Sequence, residues 1–257
     1  MSLRLALLAA VALAAAFWIG LTLYRWGTGE SPDLLTLARA VQRGEELAPH
    51  IEAGQRRDDA RRALAAEVVA GKMTLQEAAG HFRSLDEADP GYPPGLPRPL
   101  RDERALRAVL SHVWVVLAHQ GRFAEAARWY AEVFPAHPHL LAGPPTGHRY
   151  YAAWAAVLAG CGKARDAAGL DEESRAAFRH QALGWLRDEL EAQRRMLEAH
   201  PERGWSVGGG LTRWLGDPNL AGVRGPDALA RLPEEERRAW QQLWEEVEAL
   251  RQRAAEP

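Results

Sequence analysis

This 257-residue chain is short of several things, and each shortage removes a class of answer. It has one cysteine, Cys161, so there is no intrachain disulfide framework and no cysteine-rich zinc site. It has no basic excess: the formal net charge is -2, whereas a surface that tracks a phosphate backbone carries a surplus of Lys and Arg. No run of alternating apolar and polar residues bounded by turn residues occurs, which excludes half-buried strands. HExxH is absent, and the nine histidines do not converge. His137 and His139 flank a proline, and His112 and His119 lie two helical turns apart, so a metal site is not expected.

What is present is apolar residue at helical spacing, and the expected fold class is all-α. The sequence divides into four stretches. Residues 1–27 hold an uncharged run, Leu5 to Leu23, bracketed by Arg4 and Arg25. At about 1.5 Å per residue this run spans the roughly 30 Å hydrocarbon core of a bilayer. Trp18, Tyr24 and Trp26 sit toward its distal end, where amphipathic rings favour the headgroup layer. The reading is a single-pass membrane anchor, with the bilayer as partner. A cleaved signal peptide, cut near Ala14-Ala15-Ala16, is the competing reading. Basic residues on the two flanks nearly tie, so orientation rests on the four-residue tail ending in Arg4, easily kept inside. The remainder is expected outside the cytoplasm.

Residues 28–87 read as a helical juxtamembrane stalk. Ser31-Pro32-Asp33 is a helix start, and Leu34, Leu35, Ala38 and Val41 keep helical spacing after it. From Ile51 to Ala70 the chain is rich in Ala, Arg, Glu and Asp, with Leu64 and Val68 on one side, as in a long and largely solvated helix. Gly71 ends it, and Thr74-Leu75-Gln76-Glu77 is a capping box for a short helix with Ala78, Ala79 and Phe82 inward. Residues 88–99 carry five prolines and two glycines, too many to sustain helix, and mark a linker. Residues 100–257 then form a helical domain.

Within that domain, Leu110 to Pro138 reads as two short amphipathic helices joined at Gly121-Arg122. Leu110, Val113, Trp114, Leu117, Phe123, Ala126, Tyr130 and Val133 are the apolar set. The pattern resembles a tetratricopeptide hairpin, a unit that cannot bury its own apolar face and stacks on neighbours into a binding surface. Later helices carry Tyr151, Trp154 and Leu158; then Phe178, Ala182, Trp185, Leu186 and Leu190; then, after a glycine-rich break at Gly208 to Gly210, Leu211, Trp214 and Leu215. The last helix opens at Pro233 and carries Trp240, Leu243, Trp244, Val247 and Leu250. Gly121 and Gly162 are the two inter-helix turns, and their wide spacing makes the array degenerate.

From His148 to Leu250 the chain resembles the C-terminal tetratricopeptide-bearing tail of large bacterial Ser/Thr protein kinases. The matching stretches are RYYAAWAAVLAGCGKARDAAGLDEESRAAFRHQALGWLRDEL and DPNLAGVRGPDALARLPEEERRAWQQLWEEV. Residues 61–85 resemble a segment of small membrane-anchored bacterial proteins of unknown role. The resemblance implies a helical-repeat tail without phosphoryl transfer: the glycine-rich loop, the phosphate-binding lysine and both kinase aspartates are missing.

Chemistry-bearing residues are few. Gly204-Trp205-Ser206-Val207-Gly208 matches G-x-S-x-G, but the motif works on a strand-to-helix turn above a sheet, and no sheet is expected here. Cys161, between two glycines, reads as a small apolar residue. No catalytic, cofactor or metal residue is therefore assigned. Most tryptophans fall on apolar stripes; Trp129 and Trp205 do not, and are the candidates for contact with a partner. The function expected is a non-catalytic scaffold binding a protein or peptide. The alternatives are a hydrolase using Ser206, a thiol enzyme using Cys161, or a stalk that oligomerises through residues 45–70.

Overall fold

The computed structural model describes residues 34–89, 97–141 and 147–255. The predicted anchor Leu5–Leu23, the helix start at Ser31-Pro32-Asp33 and most of the proline-rich linker lie outside the described residues. Among the described residues no helix is long and apolar enough to cross a membrane. The fold is all-α: every regular element is helical, and no strand occurs among the described residues.

Two compact units divide at Asp58–Asp59. Helix α1 (Leu34–Val69) shows no break at Pro49. In the first unit its side chains at Leu47 and Ile51 stand in solvent, each more than half exposed.

The second unit begins with the end of α1, where Ala65 and Val68 are buried and Leu64 is half-buried, the side the spacing assigned to contact. Gly71 takes a φ of +68° and turns the chain, a left-handed geometry that costs a Cβ-bearing residue about 1 kcal/mol or more. Helix α2 (Leu75–Glu87) opens with the predicted capping box: the Thr74 hydroxyl accepts from the Glu77 amide, and the Glu77 carboxylate accepts from the Thr74 amide at 2.9 Å. Both exchanges satisfy donors that the first helical turn would otherwise orphan. Phe82, fully buried, sits edge-on to His112, and Arg61 pairs with Asp86. Residues 59–87, read as stalk, thus share one apolar core with the helices beyond the proline-rich stretch.

Helix α3 (Arg98–Gln120) and α4 (Phe123–Ala136) form the expected hairpin, with Gly121 left-handed at φ +69°. Leu110, Val113, Trp114, Leu117, Ala126, Tyr130 and Val133 are all buried, and Phe123 is half-buried. Arg122, at the N-cap of α4, makes no side-chain cap. Asp166 supplies one from a distance, its two oxygens accepting from the amides of Ala124 at 3.1 Å and Glu125 at 2.9 Å. A carboxylate there meets both the orphan amides and the positive end of the helix dipole.

Helix α5 (His148–Gly160) is the centre of the unit. Ten of its thirteen residues are buried, five of them alanine, and it packs against α4 on one side and α6 (Glu172–Ala199) on another. A helix apolar all round is a buried helix, and its short side chains let its neighbours approach closely. The exceptions are Arg149, Tyr151 and Trp154, the last two of which the spacing placed inward. Tyr151 is exposed, whereas Trp154 is half-buried and packs against the core; both rings lie against buried Trp114, at 5.3 and 4.9 Å.

Helix α6 is capped by Asp171, which accepts from the Ser174 amide at 2.8 Å. Helix α7 (Gly204–Gly216) follows, then a 3-10 segment (Pro218–Val223), the single turn α8 (Pro226–Leu229) and α9 (Glu234–Arg253). The predicted stripe of α9 is buried at all five positions, and the Trp244 indole donates to the Val223 carbonyl at 2.7 Å.

The predicted glycine-rich break at Gly208 to Gly210 does not exist; α7 runs unbroken through it. Packing explains this. A Cβ on Gly204 would lie 2.6 Å from the Ala254 carbonyl oxygen, and one on Gly208 would touch the Ala254 Cβ at 3.7 Å. Two glycines one turn apart let α7 close on the end of α9, and that burial outweighs a helix-propensity cost of about 1 kcal/mol per glycine.

Candidate functional site

The surface of the second unit offers two concavities built by unrelated means. The first follows from the close α7–α9 approach. Because the glycines carry no side chains, they leave a groove of about 580 Å³ lined by Gly204, Gly208, Gly209, Thr212, Arg251 and Ala254. Trp205 stands on its edge and is 85% exposed. Its neighbour in the helical repeat, Thr212, spends its hydroxyl on the Gly208 carbonyl at 2.8 Å, so the groove floor is mostly backbone and methyl surface. Arg251 is held by Glu248, at 2.6 and 2.9 Å, along the same helix.

The other described tryptophans are buried or half-buried. Trp129 is half-buried: it packs against the core, with its ring 5.2 Å from that of Tyr130. Of the two candidate contact residues, Trp205 alone presents its ring to solvent. An indole buries about 150–250 Å² when covered, so its exposure leaves roughly 3–4 kcal/mol of transfer free energy unused.

Ser206 is exposed and stands inside helix α7. The geometry that activates a G-x-S-x-G serine, a strained turn leaving a strand, is not present around it. Its flanking glycines serve the contact with α9.

The second concavity, about 410 Å³, lies between the turn after α5, the first turns of α6 and the segment 221–232. Cys161 is on its wall. Burial pushes this thiol up from its ordinary range, against the opposing pull of Arg179 and Lys163. Its sulfur faces Gly222, where a Cβ would sit 2.5 Å away. A protonated thiol wedged against backbone is a packing group, in line with the sequence reading. Arg179, 4% exposed, spans the bottom. Its guanidinium donates twice to Glu236, at 2.6 and 3.0 Å, once to Glu172 at 2.7 Å and once to the Gly160 carbonyl at 2.8 Å. Burial pulls its pKa down, but the two carboxylates outweigh that and raise it, so the charge is permanent and compensated. Arg175, Lys163 and Arg231 line the same cleft, and none has a hydrogen-bonded or ion-paired side-chain partner among the described residues. Sequence reasoning missed this grouping, because three distant segments bring the cations together and no local spacing records it.

Among the described residues, no cluster of three His, Cys, Asp or Glu side chains has the arrangement of a metal site. Two further buried titratable groups on the α5–α6 side are His148 and Glu189. Burial, reinforced by Arg107, lowers His148 to about 4, and burial raises Glu189 against the pull of Arg149 at 3.6 Å.

No protein family, curated protein or solved structure matches this chain.

Proposed function

We propose that this chain is a membrane-anchored, non-catalytic scaffold whose tetratricopeptide-like helical unit binds a protein or peptide through the groove beside Trp205. The observation that carries the reading is the 85% exposure of Trp205 on the edge of a glycine-floored groove. Rings of this kind, next to a concave surface, are the anchors that dominate interface energies. A groove with a largely backbone floor also accepts an apolar side chain of the partner at close range. The composition of Leu5–Leu23 supports the anchor, and the short tail with Arg4 supports placing the helical unit outside the cytoplasm. The enzyme alternatives lose support from the site: Ser206 rides on a helix, and the Cys161 thiol is held protonated.

The test is a photo-crosslinking residue placed at position 205 and, as a control, at the exposed position 213 of the same helix. Position 205 should give a discrete adduct in membranes that position 213 does not, and Trp205→Ala should abolish binding of the partner so identified without lowering the melting temperature. The same adducts from both positions, or partner binding unchanged by Trp205→Ala, would defeat the groove assignment.

A further inference from the structure

We propose that the cleft between helix α5, the start of α6 and the segment 221–232 is a binding site for a phosphate monoester, with Arg175 as its main contact and Lys163 and Arg231 at its rim. This goes beyond the Trp205 reading and shares no lining residue with that groove, so either can fail alone.

Four cations line the cleft, with two carboxylates, Glu172 and Asp227. Arg179 is spoken for: Glu236 and Glu172 neutralise it, and four of its five N–H donors are used. Lys163, Arg175, Arg179 and Arg231 against Glu172, Glu236 and Asp227 leave a net excess of one positive charge around a space of about 410 Å³, with Lys163, Arg175 and Arg231 as the cations not held by a carboxylate. On a chain of net charge -2 such an excess is local. Its complement is an anion with several acceptor oxygens, and a phosphate monoester, with about -1.5 to -2 charges near pH 7, offers three. Arg175 is placed for it. Its guanidinium lies over the Gly162 turn, 3.5 Å from where a Cβ would stand, and its Nε is buried with no hydrogen-bond partner. The planar guanidinium offers an oxyanion a bidentate contact through its terminal nitrogens. The Cys161 thiol, protonated, adds no negative charge to the wall. The volume exceeds that of a bare phosphate and lies in the range of small-molecule pockets, so the phosphate arrives attached to an organic group.

Two sources share that chemistry: a small phosphorylated metabolite, or a phosphorylated side chain of a peptide. The experiment is calorimetric titration of the full chain, in non-ionic detergent, with inorganic phosphate, O-phosphoserine, a phosphoserine peptide and its unphosphorylated counterpart. O-Phosphoserine should bind saturably. Arg175→Ala should weaken it about tenfold, and Lys163→Ala and Arg231→Ala about threefold each. Lowering the pH from about 7.5 to about 5.5, where the monoester loses its second charge, should weaken it further in the wild type and little in Arg175→Ala. A phosphopeptide binding tighter than O-phosphoserine would name a peptide as the source, and equal affinities would name the small molecule. Absence of saturable binding, equal binding of the unphosphorylated peptide, or affinity unchanged in the variants would overturn the site. If Arg175→Ala fails to fold, Lys163→Ala, on the exposed rim, carries the same test.

Discussion

Gly204 and Gly210 occupy one helix, and the structure predicts that the same substitution at each has opposite effects. Gly204 has φ -50° and ψ -47°, open to any residue, so no backbone reason demands glycine there. The reason is contact: an alanine Cβ would stand 2.6 Å from the Ala254 carbonyl oxygen, a backbone atom that cannot swing away. An ordinary C···O contact is about 3.3 Å or more, so α7 and α9 must part by roughly 0.7 Å. A gap of that order forfeits about a quarter to a half of the local dispersion energy, and overpacking of this kind costs about 1–3 kcal/mol. A Cβ on Gly210 meets nothing within 4 Å, so Gly210→Ala collects only the helix-propensity gain of about 0.8–1 kcal/mol. For a unit of about 200 residues the melting temperature moves roughly 2–4 °C per kcal/mol. Gly210→Ala should therefore melt about 2–4 °C higher than the wild type and Gly204→Ala about 2–12 °C lower, read by circular dichroism at 222 nm. A neutral or stabilised Gly204→Ala would refute the close helix approach. A destabilised Gly210→Ala would restore the break that the triple glycine implies on its own.

Two further outcomes follow from buried charges. Arg179→Ala leaves Glu236 unpaired in a largely buried position and should cost about 3–5 kcal/mol, whereas Glu172→Gln, at an exposed partner, should cost under about 1 kcal/mol; urea unfolding of the two compares them. His148 falls to about 4 in the folded chain from its ordinary value of 6.5, so between those values the unfolded chain binds the extra proton. Stability is then full above about pH 6.5 and is lost as the pH falls toward 4, by up to about 3 kcal/mol. Glu189, raised by burial, titrates with the opposite sign, so His148→Gln should flatten or reverse the acid-side slope of stability against pH; an unchanged slope would show that His148 does not titrate as described.

The sequence by itself determined the all-helical class and most helix ends, because both are local properties. The Thr74–Glu77 box, the left-handed Gly121 and the Asp171 cap each satisfy backbone groups within a few residues of themselves. The stripe on α9 was legible for the same reason: a 3.6-residue period leaves the apolar side of a helix readable in one dimension. Trp205 was also legible as a ring off any stripe. Tertiary structure decided what depends on a second segment. Gly208 to Gly210 read as a break until α9 came close enough to make helix the better state. Tyr151 read as core until α5 proved to be buried on its other sides. Asp166 caps a helix some forty residues away, and Arg175, Lys163 and Arg231 meet only because α5, α6 and the 221–232 segment converge. A spacing rule records which residues share a face of one helix; it holds no record of which faces meet.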